Sequence, residues 1–384
     1  MSVYEIARPL QRLLKIKPGS HWIVSCYLKV EPRDRSGGKY LIKLKNRIRE
    51  VTQSLPALGL DREAVQAVIE DLRRTQAVLE RPDSLPRANG VAVFACAKLK
   101  LFEVLPLPRV HRSRLLVDRT PLVRELAALD DEVGLMYTAV LDRARARIFE
   151  VTAFKATEVA DLIANATRGT RFRPDRHNAP GSGEHTFNNR IRNERQRHLD
   201  LVAQTLFDLD RVKPSRGVVL GALAGDGSAL RPFLHPYLTA KILGSARLPP
   251  KLASESDVLH ATLEVREAYE RRLERHAVAE MLLAQGGGWS VNGVGLSLEA
   301  LAQGKVRTLL VRGDAALPGF RCGASGRLAL SPRECRGFGE PIPVPDVIDD
   351  AIEDALRQRV GLEVVFEPDA AEAINGLAAM LRFK

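Results

Sequence analysis

The sequence predicts an α/β protein of three domains, each a mixed β-sheet packed with helices. Three observations lead there. Strand-type runs alternate with amphipathic helical stretches along the chain, an order that lays helices on sheet faces. The length, 384 residues, exceeds what one ordinary core fills, and suggests two or three domains. Hydrophobic residues make up 45% and charged residues 27%, the balance of a globular chain rather than a disordered one.

The expected first domain spans residues 1–130. HWIVSCYLKV alternates and is rich in β-branched residues, so it reads as a strand. KYLIKLKNRIREV is basic. As a helix it sets Lys39, Lys43 and Asn46 on one side and turns Leu41, Leu44 and Ile48 toward the core. Asp61 is the expected N-cap of a helix whose Ala64, Val68, Leu72 and Leu79 share a face. RPDSLPRANG breaks the chain before VAVFACA, a buried-type strand, and LKLFEVLPLP.

The second domain is expected over 131–284. MYTAVLDRARARIFEV reads as two strands joined by a tight polar turn at Asp142 and Arg143. A polar, glycine-containing stretch then precedes a long helix, FNNRIRNERQRHLDLVAQTLFDL, and the strand GVVLGAL. SDVLHATLEVREAYERRLERHAVAEMLLA is a second amphipathic helix, with Ser254 or Ser256 as N-cap and GGGW as its end. The third domain, 285–384, offers the strand KVRTLLV and the helix VIDDAIEDALRQRVG. That helix sets Ile348, Ile352, Leu356 and Val360 on one face and is expected to stop at Gly361. LEVVF is a further strand, and INGLAAMLRF closes the chain. No fixed-period repeat or low-complexity tract is present.

The formal net charge is +11. A surplus of that size repels itself and points to a polyanion, either nucleic acid or an acidic membrane surface. A genome that favours Arg over Lys is the competing source of the charge. The opening MSVYEIARPLQRLLKIKPGS lacks a signal-peptide hydrophobic region. No run reaches the ~18 apolar residues of a membrane span. The cysteines, Cys26, Cys96, Cys322 and Cys335, are too few for a disulfide-stapled secreted fold. A cytoplasmic location is expected.

Catalytic signatures are scarce. There is no G-x-S-x-G elbow, and no histidine joins a cysteine in a local nucleophile pattern. Cys322 and Cys335 lie in FRCGASGRLALSPRECRG, where a zinc ribbon would need four soft ligands in two close pairs. Ser325 stands where the second cysteine of a C-x-x-C would be, so these are expected to be reduced structural cysteines or remnants of a former zinc site. GDGS (225–228) and GGGW (286–289) lack Walker and dinucleotide spacing and read as turns. No cofactor or metal is expected.

The strongest signal is cationic. From Ala166 to His198 there are eight arginines, three acids and three histidines. RHNAPGSGEHTFNN in the middle has little to bury, so an exposed loop is expected over about 166–186. Arginine suits phosphate forks and stacking on bases. Candidate RNA contacts are therefore Arg171, Arg173, Arg176, His177, Pro180, Gly181, Ser182, Gly183, His185, Arg190, Arg192 and Arg195. Lys39, Lys43, Lys45 and Arg47 repeat the theme in the first domain. A solvated helix face beside a plain loop is the competing account of both segments.

The order of these elements resembles the bacterial branch of the archaeo-eukaryotic release-factor family, which includes class-one release factors and Pelota. The resemblance covers almost the whole chain and rests on packing patterns. These are VAVFACAKLKLFEVLPLP, YTAVLDRARARIFEV, and the closing VRTLLV … VIDDAIEDALRQ … VVF … GLAAMLRF. It implies the three-domain release-factor/Pelota-like architecture. In class-one release factors an exposed Gly-Gly-Gln loop precedes a basic helix. Matching Phe187 and VAQT to that helix puts Pro180, Gly181 and Ser182 where Gly-Gly-Gln would stand. Glutamine is absent there, so peptide release and an enzymatic role are not expected. The family's Asn-Ile-Lys-Ser codon reader corresponds to Leu41-Ile42-Lys43-Leu44, which keeps only the isoleucine and lysine.

What the resemblance then implies is an occupant of the ribosomal A site, acting by occlusion in hibernation or rescue like Balon-type relatives. The expected partner is the 70S ribosome, through 16S and 23S rRNA, with elongation factor Tu or another translational GTPase for delivery. DNA and membrane are not expected partners. Two rivals are a peptidyl-tRNA hydrolase with a divergent loop and an RNA-binding protein unconnected with ribosomes.

Overall fold

The structure is a computed structural model that describes residues 6–30, 38–81, 88–132, 134–164, 182–223 and 226–383. It is a mixed α/β protein with two compact units. One comprises residues 1–131 and 271–384, so the two ends of the sequence share a unit, and the other runs over 132–270.

In the first unit β1 (Ile23–Lys29), β2 (Gly90–Cys96), β3 (Leu101–Leu107) and β4 (Arg114–Asp118) form an antiparallel sheet in the order β3-β2-β1-β4. The central β2 is buried along its whole length, as its unbroken apolar run predicts. The helices Lys39–Ser54 and Arg62–Glu80 pack Tyr40, Leu44, Val68, Leu72 and Leu79 into the same core as Val24, Leu28 and Val93. Asp61 caps the second of them, its Oδ1 accepting from the amide of Ala64 at 2.7 Å. The charged β4 was hidden from a reading of apolar periodicity.

The central unit is a five-stranded sheet, β7-β6-β5-β8-β9, made of β5 (Met136–Leu141), β6 (Arg145–Val151), β7 (Ala156–Ile163), β8 (Gly217–Ala222) and β9 (Ile242–Arg247). The expected β5–β6 hairpin is present, and Asp142 Oδ1 holds its turn by accepting from the amides of Ala144 and Arg145. β7 is an edge strand whose Glu158 and Asp161 pair with Arg147 and Arg145 of β6. Its charges masked it in the sequence. The expected turn at GDGS differs, because residues 226–230 form a short helix and Gly225 lies outside the described residues. Ser254 is the residue at the start of the helix Glu255–Gln285, its Oγ accepting from the Asp257 amide at 3.2 Å while Asp257 accepts from the Ser254 amide. The central unit ends within this helix, and Val278 and Met281, farther along it, are members of the first unit and of its core.

The remaining chain of the first unit builds a sheet β10-β16-β11-β15 from β10 (Ser290–Asn292), β11 (Val306–Arg312), β15 (Gly361–Val365) and β16 (Leu377–Leu381). Beside it lies a small antiparallel sheet of β12 (Gly319–Cys322), β13 (Leu328–Ala329) and β14 (Pro341–Val344). The helix Val347–Arg357 buries Ile348 and Ile352 as expected, with Val360 buried just after its end. Beyond the helix Arg359 takes φ +56°, and Gly361, the expected stop, instead opens β15. Cys322 and Cys335 are joined in a disulfide with their Cα atoms 5.2 Å apart, which corrects the expectation of reduced thiols. The β12–β13 hairpin folds the chain back so that the two residues meet within one buried cluster. Thiol count alone carries no such proximity. Cys26 and Cys96 are free and buried. Among the described residues no helix is long and apolar enough to cross a membrane.

The two ends of the chain are joined by buried charge. Arg124, whose side chain is 1% exposed, pairs with Asp346 at 3.3 Å and with Asp349, and donates to the Ala315 carbonyl at 2.6 Å. Arg114 reaches the same two aspartates at 3.7 and 3.6 Å. Arg321 pairs with Asp350 and Asp354, and Arg357 with Glu353 and Asp354. Desolvation by burial raises Asp118, Asp349 and Glu353 to about 8. Groups held above their unfolded range near 4 bind protons in the folded state that the unfolded chain releases. Their ionisation therefore destabilises the fold as pH rises toward about 8. The buried histidines His111 and His198, lowered by burial, are already neutral in both states above about pH 7 and do not oppose this. The urea midpoint is thus expected to fall between pH 7 and pH 8.5, and to fall less in Asp118→Asn. A midpoint that rises over that interval would contradict the assignment.

Candidate RNA-binding surfaces

The first surface is the outer side of Lys39–Ser54. Tyr40 and Leu44 are buried, with Leu41, Ile48 and Val51 packed beside them. Tyr40 also donates through its hydroxyl to the Leu79 carbonyl at 3.4 Å. That buried stripe fixes the helix's rotation, because residues 3 or 4 apart share a face. Lys39, Lys43 and Asn46 consequently lie together and are exposed, flanked by exposed Lys45 and Arg49. Ile42 stands among them 62% exposed, an apolar body beside the cations.

The expected group is not uniform. Lys45 leans to Glu80, their charged atoms 3.3 Å apart. The Glu80 carboxyl is held below its ordinary range by the Gln76 amide and by Lys45. Arg47 is half-buried. The outward cationic positions are therefore Lys39, Lys43 and Arg49, the last part of the same basic run but not among the predicted contacts.

The second surface is the opening half of the helix Ser182–Val212. Its closing half is anchored. Leu199, Val202, Ala203 and Leu206 pack on Tyr137, Ala139, Val218 and Leu220 of the sheet. Tyr137 donates to the Leu209 carbonyl at 3.3 Å, and Lys241 pairs with Asp210 at 2.8 Å. Before His198 the buried stripe gives way, and Asn189, Arg190, Arg192, Asn193, Gln196 and Arg197 are exposed. Arg190, its side chain 71% exposed, spans one turn to Glu194 at 3.1 Å. An exposed pair of that kind contributes about 0.3–0.5 kcal/mol, little enough to be exchanged for a phosphate.

Several placements differ from expectation. Ser182, Gly183 and His185 belong to the helix, which begins at Ser182, rather than to the preceding loop. A polar segment with few apolar residues at helical spacing carries no periodic signal of helix. Arg171, Arg173, Arg176, His177, Pro180 and Gly181 lie outside the described residues. Arg195 is half-buried, whereas Arg197 is exposed. His198 is buried at 3% exposure and burial lowers its pKa, so at neutral pH it belongs to the core rather than to the cationic face.

Chemically, these faces offer cationic hydrogen-bond donors. Both present guanidinium or ammonium groups with amides between them, the donor set for phosphate oxygens and base edges.

Residues 121–267 match the model of the bacterial archaeo-eukaryotic release factor family 10, a span that takes in nearly all of the central unit. No curated protein matches the chain. Among solved structures, the archaeal translation termination factor aRF1 is similar at 17% identity, with 100% of this chain and 99% of that one covered and a TM-score of 0.26. Archaeoglobus fulgidus Pelota is similar at 12% identity, with 77% and 79% covered and a TM-score of 0.36. S. cerevisiae Dom34, described as a translation termination-like factor that interacts with Hbs1, is similar at 10% identity, with 74% and 73% covered and a TM-score of 0.40.

Proposed function

We propose that this chain, whose residues 121–267 match the model of bacterial archaeo-eukaryotic release factor family 10, is a ribosome-binding factor that occupies the A site without releasing the peptide. One observation carries this reading most. Within the matched segment, the helix that begins at Ser182 keeps Arg190, Arg192 and Arg197 exposed, Arg190 and Arg197 along one side and Arg192 turned away from them, while its later turns are packed into the core. A rigid scaffold thus presents cations to a polyanion. The Lys39–Ser54 face would add contacts to rRNA near the decoding region. No Gly-Gly-Gln occurs anywhere in the sequence, so the water-positioning amide of the release reaction has no counterpart.

The action would be occlusion, in hibernation or rescue, with elongation factor Tu or another translational GTPase as the delivery partner and the cytoplasm as the location. Purified protein should co-sediment with 70S particles at low ionic strength. Its log affinity should then fall by about 0.7–0.9 per contacted phosphate for each tenfold rise in salt. Ribosomes loaded with peptidyl-tRNA should keep their nascent chains when the protein is added. Efficient peptide release would instead establish a hydrolase with a divergent loop. Equal binding to free RNA and to ribosomes would establish an RNA-binding protein without ribosomal specificity.

A further inference from the structure

The central unit carries a groove of about 510 Å³ that neither cationic face includes. The helix Ser182–Val212 supplies Asp200, Leu201, Gln204 and Phe207 to its lining, and the chain just before Pro236 supplies Phe233 and His235. Residues 3, 4 or 7 apart share a side of a helix, so Leu201 and Gln204 continue the side on which Arg190 and Arg197 lie. Arg197 and Gln204 stand about 10 Å apart along the axis, a span that one nucleic-acid strand crosses in a few nucleotides.

The lining is aromatic, with polar groups at defined places. Phe207 and Phe233 are half-buried against the core of the sheet, which holds their rings in place. The Phe207 and His235 rings have their centroids 4.9 Å apart and are tilted by 41°. His235 Nδ1 accepts from the Tyr237 amide at 3.2 Å, so the neutral ring carries its proton on Nε2 and donates there. Gln204 already donates to Asp208 at 3.1 Å. Asp200 is exposed, and among the described residues no cation pairs with it.

Among the described residues no lysine or arginine lines the groove, and Asp200 would repel a phosphate placed in it. Fixed rings beside one acceptor and one donor suit an unpaired base instead, which stacks on aromatic side chains and is read along its edge. Guanine is the base whose Watson–Crick edge presents two adjacent donors, N1–H and N2–H, and one carboxylate accepts both. Adenine and cytosine set a ring acceptor beside their amino group, and uracil has one donor between two carbonyls.

We propose that this groove holds an unpaired guanine of RNA, stacked on Phe207, with Asp200 accepting from N1 and N2 and His235 Nε2 donating to O6. Arg190 and Arg197 would hold phosphates of the same strand. The inference rests on the RNA-binding reading of this helix and adds what is recognised: a single strand rather than a duplex.

The test uses the full chain and short labelled uridine RNAs whose central residue is guanosine, inosine, adenosine or uridine, read by fluorescence anisotropy at low salt. The guanosine RNA should bind about tenfold or more tighter than the all-uridine RNA. Inosine, which lacks the N2 amine, should fall between them. Asp200→Asn, at an exposed position, should abolish the preference for guanosine over adenosine and leave the all-uridine RNA bound as before. Phe207→Leu, which keeps an apolar side chain but removes the ring, should weaken the guanosine RNA about tenfold. Equal binding of guanosine and adenosine RNA, or a guanosine preference that survives Asp200→Asn, overturns the groove and leaves the arginine side standing. A guanosine preference without co-sedimentation with ribosomes upholds the groove and removes the ribosome. If no RNA binds at low salt, both readings fall.

Discussion

Simultaneous reversal of Arg190, Arg192 and Arg197 to Glu is expected to lower ribosome affinity by about 100-fold or more at about 100 mM salt. Each exposed arginine that loses a phosphate contact forfeits roughly 1 kcal/mol or more, and three of them exceed two decades. The dependence of log affinity on log salt should become shallower by about three, because three fewer counterions are released. Folding should be nearly unaffected, since these side chains are exposed and the Arg190–Glu194 pair is a surface pair. The informative control is Lys45→Glu. Lys45 is already engaged by Glu80, so its reversal should weaken binding much less. Co-sedimentation across a salt series reads both effects. Wild-type affinity and slope in the triple variant would remove this helix from the interface.

Arg124→Met is expected to be the most destabilising single change, at about 3–5 kcal/mol, because it strands Asp346 and Asp349 in the interior. The guanidinium is 1% exposed and also serves the Ala315 carbonyl, so no water replaces it. The partner Arg114 is more distant, at 3.7 and 3.6 Å, and compensates only in part. Urea denaturation followed by circular dichroism measures the loss. Adding Asp349→Asn to Arg124→Met should recover part of it, since residues in one ion network are not additive. A loss below about 1 kcal/mol would mean that apolar packing, not this cluster, holds the two chain ends together.

Much of the architecture was readable from apolar periodicity. The run VAVFACA became a strand buried on both faces, and the expected Leu41–Leu44–Ile48 side packs on the core, with Tyr40 rather than Leu41 fully buried, turning Lys39 and Lys43 outward. Asp61 and Ser254 act at their helix starts through the short-range hydrogen bonds that their side chains make wherever a helix begins there. The misses share one cause. β7 carries Glu158 and Asp161, β4 carries Arg114 and Asp118, and the start of the Ser182 helix is polar. The two strands are held by pairing across the sheet, β4 with β1 and β7 with β6, which a local window does not contain. The same holds for Arg197, whose exposure depends on where the sheet meets the helix.

The amino-acid order alone determined the α/β class, the cationic character of two segments, and the lack of a Gly-Gly-Gln, because each is a property of residues close together in the chain. Folding decided which arginines face outward, that Cys322 meets Cys335, and that residues 1–131 and 271–384 close around one buried set of aspartates and arginines. These depend on distances between residues tens to hundreds of positions apart. Such distances are set by the packing of whole sheets and helices, and no local pattern encodes them.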